Sequence, residues 1–355
     1  MYTALNILRA IAALVVFAAH LRGLNLPEYG QLPPDQQTIW IALAYACSRP
    51  GHAAVLIFFV LSGFLVGGQV ARRISDRSFS IGQYTMDRAT RILLPLVPAI
   101  ALASFVSLLE SGKLPSVVSI LLHTVGLNGV VTPTILSNGP LWSLSYEIWF
   151  YVIAGIVGYV FTQRTMNVTI ILFMIGGVLV FCVLKPLYLL FWFLGVLASR
   201  QSSKGAINRV VSLFGLSLFI GGLVLTELTS QSRYFNAENF ITRDGASAMM
   251  CIGLAAILPA LCDPRLTLVL KPVEALARFT SGISFSLYVF HYPILKLLNV
   301  LSPPSLEWND QSLIATGIKM ICTVVGCVLL YFLFEANTVR LRATLSRFSR
   351  RNFSR

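Results

Sequence analysis

Residues 5–21 read LNILRAIAALVVFAAHL, an apolar stretch long enough to enter a membrane that carries just two ionisable groups, Arg9 and His20. The two are eleven positions apart. At ~100° per residue that is about three helical turns plus 20°, so both side chains leave one face, roughly 16 Å apart along the axis. An ionisable group inside a membrane helix is costly and normally faces protein or a watery cavity, which makes this face a candidate functional one. The alternative is that Arg9 snorkels to one surface while His20 is hydrated at the other. The segment alone leaves both readings open.

The rest of the chain agrees with the membrane reading. Of 355 residues, 56% are hydrophobic and 12% charged, and mean hydropathy is +0.77, which excludes an ordinary soluble enzyme and implies an all-α polytopic membrane protein. A net charge of +13 would suit nucleic acid, but the basic residues lie in short connections and in the tail. Membrane orientation accounts for them, and no nucleic acid is expected. Six scattered cysteines, without metal-ligand spacing to histidine, indicate neither a disulfide framework nor a metal site. The N-terminus lacks a basic n-region and a small-residue cleavage site, so 5–21 is expected to be retained and to span.

Apolar segments at about 5–21, 53–70, 92–109, 141–161, 168–184, 187–198, 210–228, 246–261, 283–300 and 313–334 predict ten transmembrane helices. Ser62, Gly63, Gly67 and Gly68 form a small-residue strip of the kind that lets helices approach closely. Residues 117–131 are apolar but short and interrupted by His123, Asn128 and Gly129, which predicts a re-entrant or interfacial segment. Counting it as a span would put the basic loops (Arg72 to Arg91, Arg164, Arg200 to Arg209, Arg265 to Arg278) on opposite sides. Ten spans put them together, with both termini cytoplasmic. Residues 1–335 then make one membrane-embedded domain. Residues 336–355 are a basic cytoplasmic tail, with Arg340, Arg342, Arg347, Arg350, Arg351 and Arg355, that anionic lipid headgroups attract.

Three further stretches carry chemistry. In DRATR, Arg88 and Arg91 lie three apart on one helix face, where two guanidinium forks suit a phosphate-bearing ligand such as a nucleotide or coenzyme A; ordinary membrane anchoring is the simpler account of an RxxR alone. In NGPLWSLSYEIWFY, Asn138 and Pro140 read as cap and first turn of a helix on which Ser143 and Glu147 fall four apart. Glu147 then lies within a span, as a functional carboxylate or half of a structural ion pair. In SGISFSLYVFHYP, Ser281, Ser284, Tyr288 and His291 form one polar stripe that either ties helices together or lines a cavity for a hydroxylated substrate. His123 reads as a satisfied structural group.

Taken in order, LRAIAALVVFAAH, FFVLSGFL, DRATR, PLWSLSYE and ISFSLYVFHYP resemble the acyltransferase 3 family of integral-membrane acyltransferases, which includes O-acetyltransferases of surface polysaccharides. The resemblance implies an acyl donor, usually acetyl-coenzyme A, supplied from the cytoplasm, and a hydroxyl acceptor on the outer side. By it, Arg9 and His20 match the arginine and catalytic histidine of the first helix, and Arg88 and Arg91 match the donor-associated RxxR. Glu147 matches the first acid of the PLWSLSxEE pattern. Trp142 and Ser145 of that motif, with Arg9, Tyr288 and His291, fall on the substrate side. Two positions depart from the pattern: Ile148 replaces the second acid, and Asn6 stands where many members have Asp.

The sequence thus reads as a multi-pass O-acyltransferase of a bacterial inner membrane. It would move an acyl group, acetyl first, from acyl-coenzyme A to a hydroxyl of a surface polysaccharide or its lipid-linked precursor, without a metal and alongside polysaccharide-synthesis proteins. His20 would act as general base or as a covalent acyl carrier, with Glu147 supporting a histidine. The rival is a transporter or flippase, which discontinuous spans and internal repeats would favour. No repeat relates the two halves of the sequence.

Overall fold

The computed structural model describes residues 2–203, 208–230 and 242–338, and these are helical, without a strand. The helices in chain order are α1 (Thr3–Asn25), α2 (Ile39–Ser48) and α3 (Gly51–Ser62), which runs through a π-turn (Gly63–Gly67) into α4 (Gly68–Ser75). They continue with α5 (Ile81–Ser111), α6 (Val117–Thr124), α7 (Trp142–Gln163), α8 (Val168–Val183), α9 (Pro186–Ser203) and α10 (Arg209–Ser230). Last come α11 (Arg243–Leu261), α12 (Pro264–Val269), α13 (Glu274–Leu301) and α14 (Asp310–Leu333). Local chemistry sets many of the ends. The side chains of Thr38, Asn167, Thr242 and Asn309 accept from backbone N–H groups of the turns they begin. Gly112 closes α5 with a φ of +69°.

Among the described residues, eight helices are long and apolar enough to cross a membrane. Helices α8 and α9 pass that test only as a pair bent at a short break, so the count is eight or nine, where the sequence pattern counted each of the two as a span of its own to reach ten. Proline explains the break: Pro186 has no N–H to continue the helix and starts a new one instead. Helix α6 is eight residues long, about 12 Å, so residues 117–131 fall well short of crossing. The tail arginines lie outside the described residues.

The chain divides into two compact units, one of the described residues within 1–72, 185–284 and 306–308, the other of those within 73–184, 285–305 and 309–355. In the first unit, α3 and its π-turn lie directly on α9. A Cβ on Gly63 would sit 1.8 Å from the Trp192 carbonyl oxygen, and one on Gly195 2.0 Å from that of Val60. The strip read from the sequence is therefore a helix interface, with Gly67 and Gly68 against Val196 and Ser199. In the second unit α5 packs on α7, where the Tyr84 hydroxyl donates to the Tyr151 carbonyl at 2.9 Å. Phe150 of α7 stacks on Phe181 of α8 with ring centroids 6.1 Å apart.

Candidate active site

Helix α1 is continuous through both Arg9 and His20, so the two share a face as their spacing requires. In the first unit, Arg9 Nη2 donates to Ser284 Oγ at 3.1 Å, and Ser284 Oγ donates to the Ser281 carbonyl at 2.7 Å. Ser281 Oγ in turn donates to Asn6 Oδ1 at 3.3 Å. The first half of the α13 stripe thus ties α13 to α1, and Asn6 serves as an acceptor in that tie. Half-buried His20 hydrogen-bonds the backbone of Val16, one turn earlier. A ring N–H committed to that carbonyl leaves the other nitrogen of the neutral imidazole with the basic lone pair. His52, which the sequence reading passed over, pairs its Nε2 with the Tyr188 hydroxyl at 3.1 Å.

In the second unit Glu147, Arg88 and Arg91 come together around Tyr151. The Tyr151 hydroxyl makes a short hydrogen bond to Glu147 Oε1 one helical turn away. The Arg88 guanidinium lies 5.5 Å from the Tyr151 ring centroid and 5.9 Å from that of Tyr84, within cation–π range of both. The charges of Glu147, Arg88 and Arg91 all act on Tyr151, and that of Glu147 also acts on Tyr288. Arg88, Tyr84 and Tyr151 line a cavity of about 420 Å³ between α5, α7 and α8, walled mainly by apolar side chains such as Ile92, Val152 and Phe173. Arg91 turns to a different partner, Glu335, whose Oε1 is 4.0 Å from its Nη2. Nothing in the spacing of the sequence pairs these two residues.

The loop before α7 is built differently from the expected cap. A 3-10 turn (Leu136–Leu141) precedes α7, and Asn138 lies inside it with non-helical backbone angles. Its Nδ2 donates to the Val289 carbonyl at 3.0 Å. Pro293, four residues on from Val289, has no N–H to offer that carbonyl, and Asn138 supplies the donor. Beside it the Tyr288 hydroxyl donates to the Pro140 carbonyl at 2.9 Å and pairs closely with that of Ser143. Fully buried His291 places Nδ1 2.8 Å from the Leu287 carbonyl.

Ser145 donates to both the backbone and the side-chain oxygen of Asn128, at 2.7 and 2.8 Å, and Trp142 packs edge-on against Tyr146. Ser145 thereby ties α7 to the 128 loop, while the Trp142 contact lies within the first turns of α7 itself. His123 is structural as read: Nδ1 is 2.7 Å from the Ser119 carbonyl, and Nε2 accepts from the Ile135 N–H at 3.2 Å. Burial lowers its pKa, against the opposing pull of the Ser119 carbonyl.

The ordered motifs, the helical fold and these polar groups agree with the comparison to known families: the acyltransferase 3 model, describing an acyltransferase domain, matches residues 2–332. The chain belongs to the acyltransferase 3 family. Neither a curated protein nor a solved structure matches it. Membership makes the chain a membrane acyltransferase that takes an acyl donor as co-substrate. No cluster of three or more candidate metal ligands occurs among the described residues. The departure at Ile148 also acquires a physical setting in this acyltransferase, since Ile148 lines the cavity beside Arg88 and supplies a hydrocarbon wall there.

Proposed function

We propose that this acyltransferase moves an acetyl group from acetyl-coenzyme A to a hydroxyl of a surface polysaccharide or its lipid-linked precursor at a bacterial inner membrane. The observation that carries the donor side is Arg88, stacked by two tyrosines at the wall of an apolar cavity, with Arg91 and Glu147 gathered around the same Tyr151. A stacked guanidinium suits a phosphate-bearing ligand, and an apolar cavity of this size suits the uncharged arm of such a ligand. His20 takes the proton of the acceptor hydroxyl while its oxygen attacks the thioester carbonyl. The carbon–sulfur bond breaks, and coenzyme A leaves as the thiolate, which takes up a proton. The Val16 hydrogen bond favours this role because it orients the ring. Glu147, held by Tyr151, sets a negative charge beside the two arginines of the donor side.

The bent α8–α9 pair is the feature a transporter would share, but family membership favours acyl transfer. The test uses the purified full chain in nanodiscs with acetyl-coenzyme A labelled in the acetyl group, offered surface polysaccharides and lipid-linked oligosaccharides in turn. Label transferred into a base-labile ester, with stoichiometric release of free thiol, is the expected result. Absence of coenzyme A binding would overturn the proposal.

A further inference from the structure

Glu335 belongs to none of the motifs that suggested an active site, yet its carboxylate is built into the second unit at three points. It lies in the 3-10 turn Glu335–Asn337 that follows α14, with its side chain 5% exposed. Its Oε2 accepts from both the backbone N–H and the hydroxyl of Ser286 in α13, at 3.1 and 2.7 Å. Its Oε1 faces Arg91 Nη2 of α5 at 4.0 Å. A carboxylate this deeply buried is costly unless it is hydrogen-bonded and charge-compensated, and Ser286 and Arg91 provide the two kinds of contact.

The pairing has a consequence for Arg91, whose side chain is 36% exposed. A guanidinium carries five N–H donors in a rigid fork. The Glu335 carboxylate opposite Nη2 biases the guanidinium toward one orientation, while about a third of the side chain stays accessible to a ligand. Ordering a long side chain is part of what a ligand must otherwise overcome on binding, so a held guanidinium binds an anion more tightly than a mobile one. We infer that Glu335 is a positioning residue of the donor site: anchored by Ser286, it holds Arg91 so that the open edge of the guanidinium meets the anionic part of the acyl donor. This rests on the reading of Arg91 as a donor contact.

Coenzyme A itself is the probe, titrated calorimetrically into the purified full chain in nanodiscs, with turnover measured in parallel. Glu335→Gln keeps an oxygen for Ser286 but removes the charge facing Arg91. It should weaken coenzyme A binding and raise the donor KM by about tenfold, while kcat stays within about twofold. Glu335→Asp should recover part of the affinity. Because Glu335 acts through Arg91, the double variant Glu335→Gln, Arg91→Ala should bind no more weakly than Arg91→Ala alone. If Glu335→Gln does not insert, Ser286→Ala removes one of the bonds on Oε2 and should raise KM in the same direction by a smaller factor. Unchanged affinity in the variant that inserts, a fall in kcat and thermal stability at constant KM, or additive losses in the double variant would each overturn the inference. A wild-type protein that fails to bind coenzyme A would instead remove the donor reading, and this inference with it.

Discussion

Replacing His20 by Gln separates chemistry from packing on α1. The native imidazole is half-buried and hydrogen-bonded to the Val16 backbone one turn earlier. A glutamine amide N–H can make a similar contact and keeps the position polar, so the fold of α1 and its tie through Arg9 to Ser284 should survive. What the variant lacks is a nitrogen that can take a proton at neutral pH. General-base assistance is typically worth 10²–10⁴ in rate, about 3–5 kcal/mol of barrier. Turnover should therefore fall at least ~100-fold, while coenzyme A affinity, assigned to Arg88 and Arg91, stays unchanged. The assay is the initial rate of acetyl transfer at matched concentrations of folded, nanodisc-embedded protein, with calorimetric coenzyme A binding alongside. Near-normal turnover in His20→Gln would refute the reasoning and make the polar face of α1 structural.

Tyr151→Phe removes the hydroxyl that donates to Glu147 but keeps the ring beside Arg88; a hydrogen bond to a charged group is worth about 1.5–3 kcal/mol, so turnover should drop roughly tenfold or more with coenzyme A affinity preserved, and a wild-type rate would detach Glu147 from the reaction. Gly195→Ala places a methyl 2.0 Å from the Val60 carbonyl oxygen and should cost about 1–3 kcal/mol by forcing α3 and α9 apart, read as a lower unfolding temperature of the purified protein. The last prediction concerns pH. Burial holds the His123 pKa down in the folded protein, whereas in the unfolded chain it is near ~6.5. The unfolded state therefore binds the extra proton first, and the stability contributed by the neutral ring accepting from Ile135 is present above that pH and lost as pH falls below it. Amides of residues 119–136 should exchange faster at about pH 5.5 than at about pH 7.5 after correction for intrinsic rates, and His123→Gln should flatten the difference.

Much of this protein is determined locally. Long apolar runs interrupted by charged connections dictate membrane helices, because a backbone in lipid must satisfy its own hydrogen bonds. The eleven-residue spacing of Arg9 and His20 dictates a shared face, because α1 is one unbroken helix. The glycines at 63, 67 and 68 announce a close helix contact, although only the fold names α9 as the partner. Tyr151 against Glu147 was legible in principle as an i,i+4 pair. Other features depend on which helices become neighbours, and helical periodicity says which face is buried without saying against what. The extent of α8 and α9 as spans turned on a break at Pro186. Asn138 left its expected cap because Pro293, in a distant helix, deprives the Val289 carbonyl of its donor. Arg88 and Arg91, three residues apart, meet different partners, the tyrosines of α5 and α7 for one and Glu335 for the other. Glu335 itself reads from sequence as one acid at the foot of a last helix. It takes the packing of α5, α13 and the end of α14 to surround that carboxylate with Ser286 and Arg91, and no local pattern specifies a contact between residues so far apart in the chain.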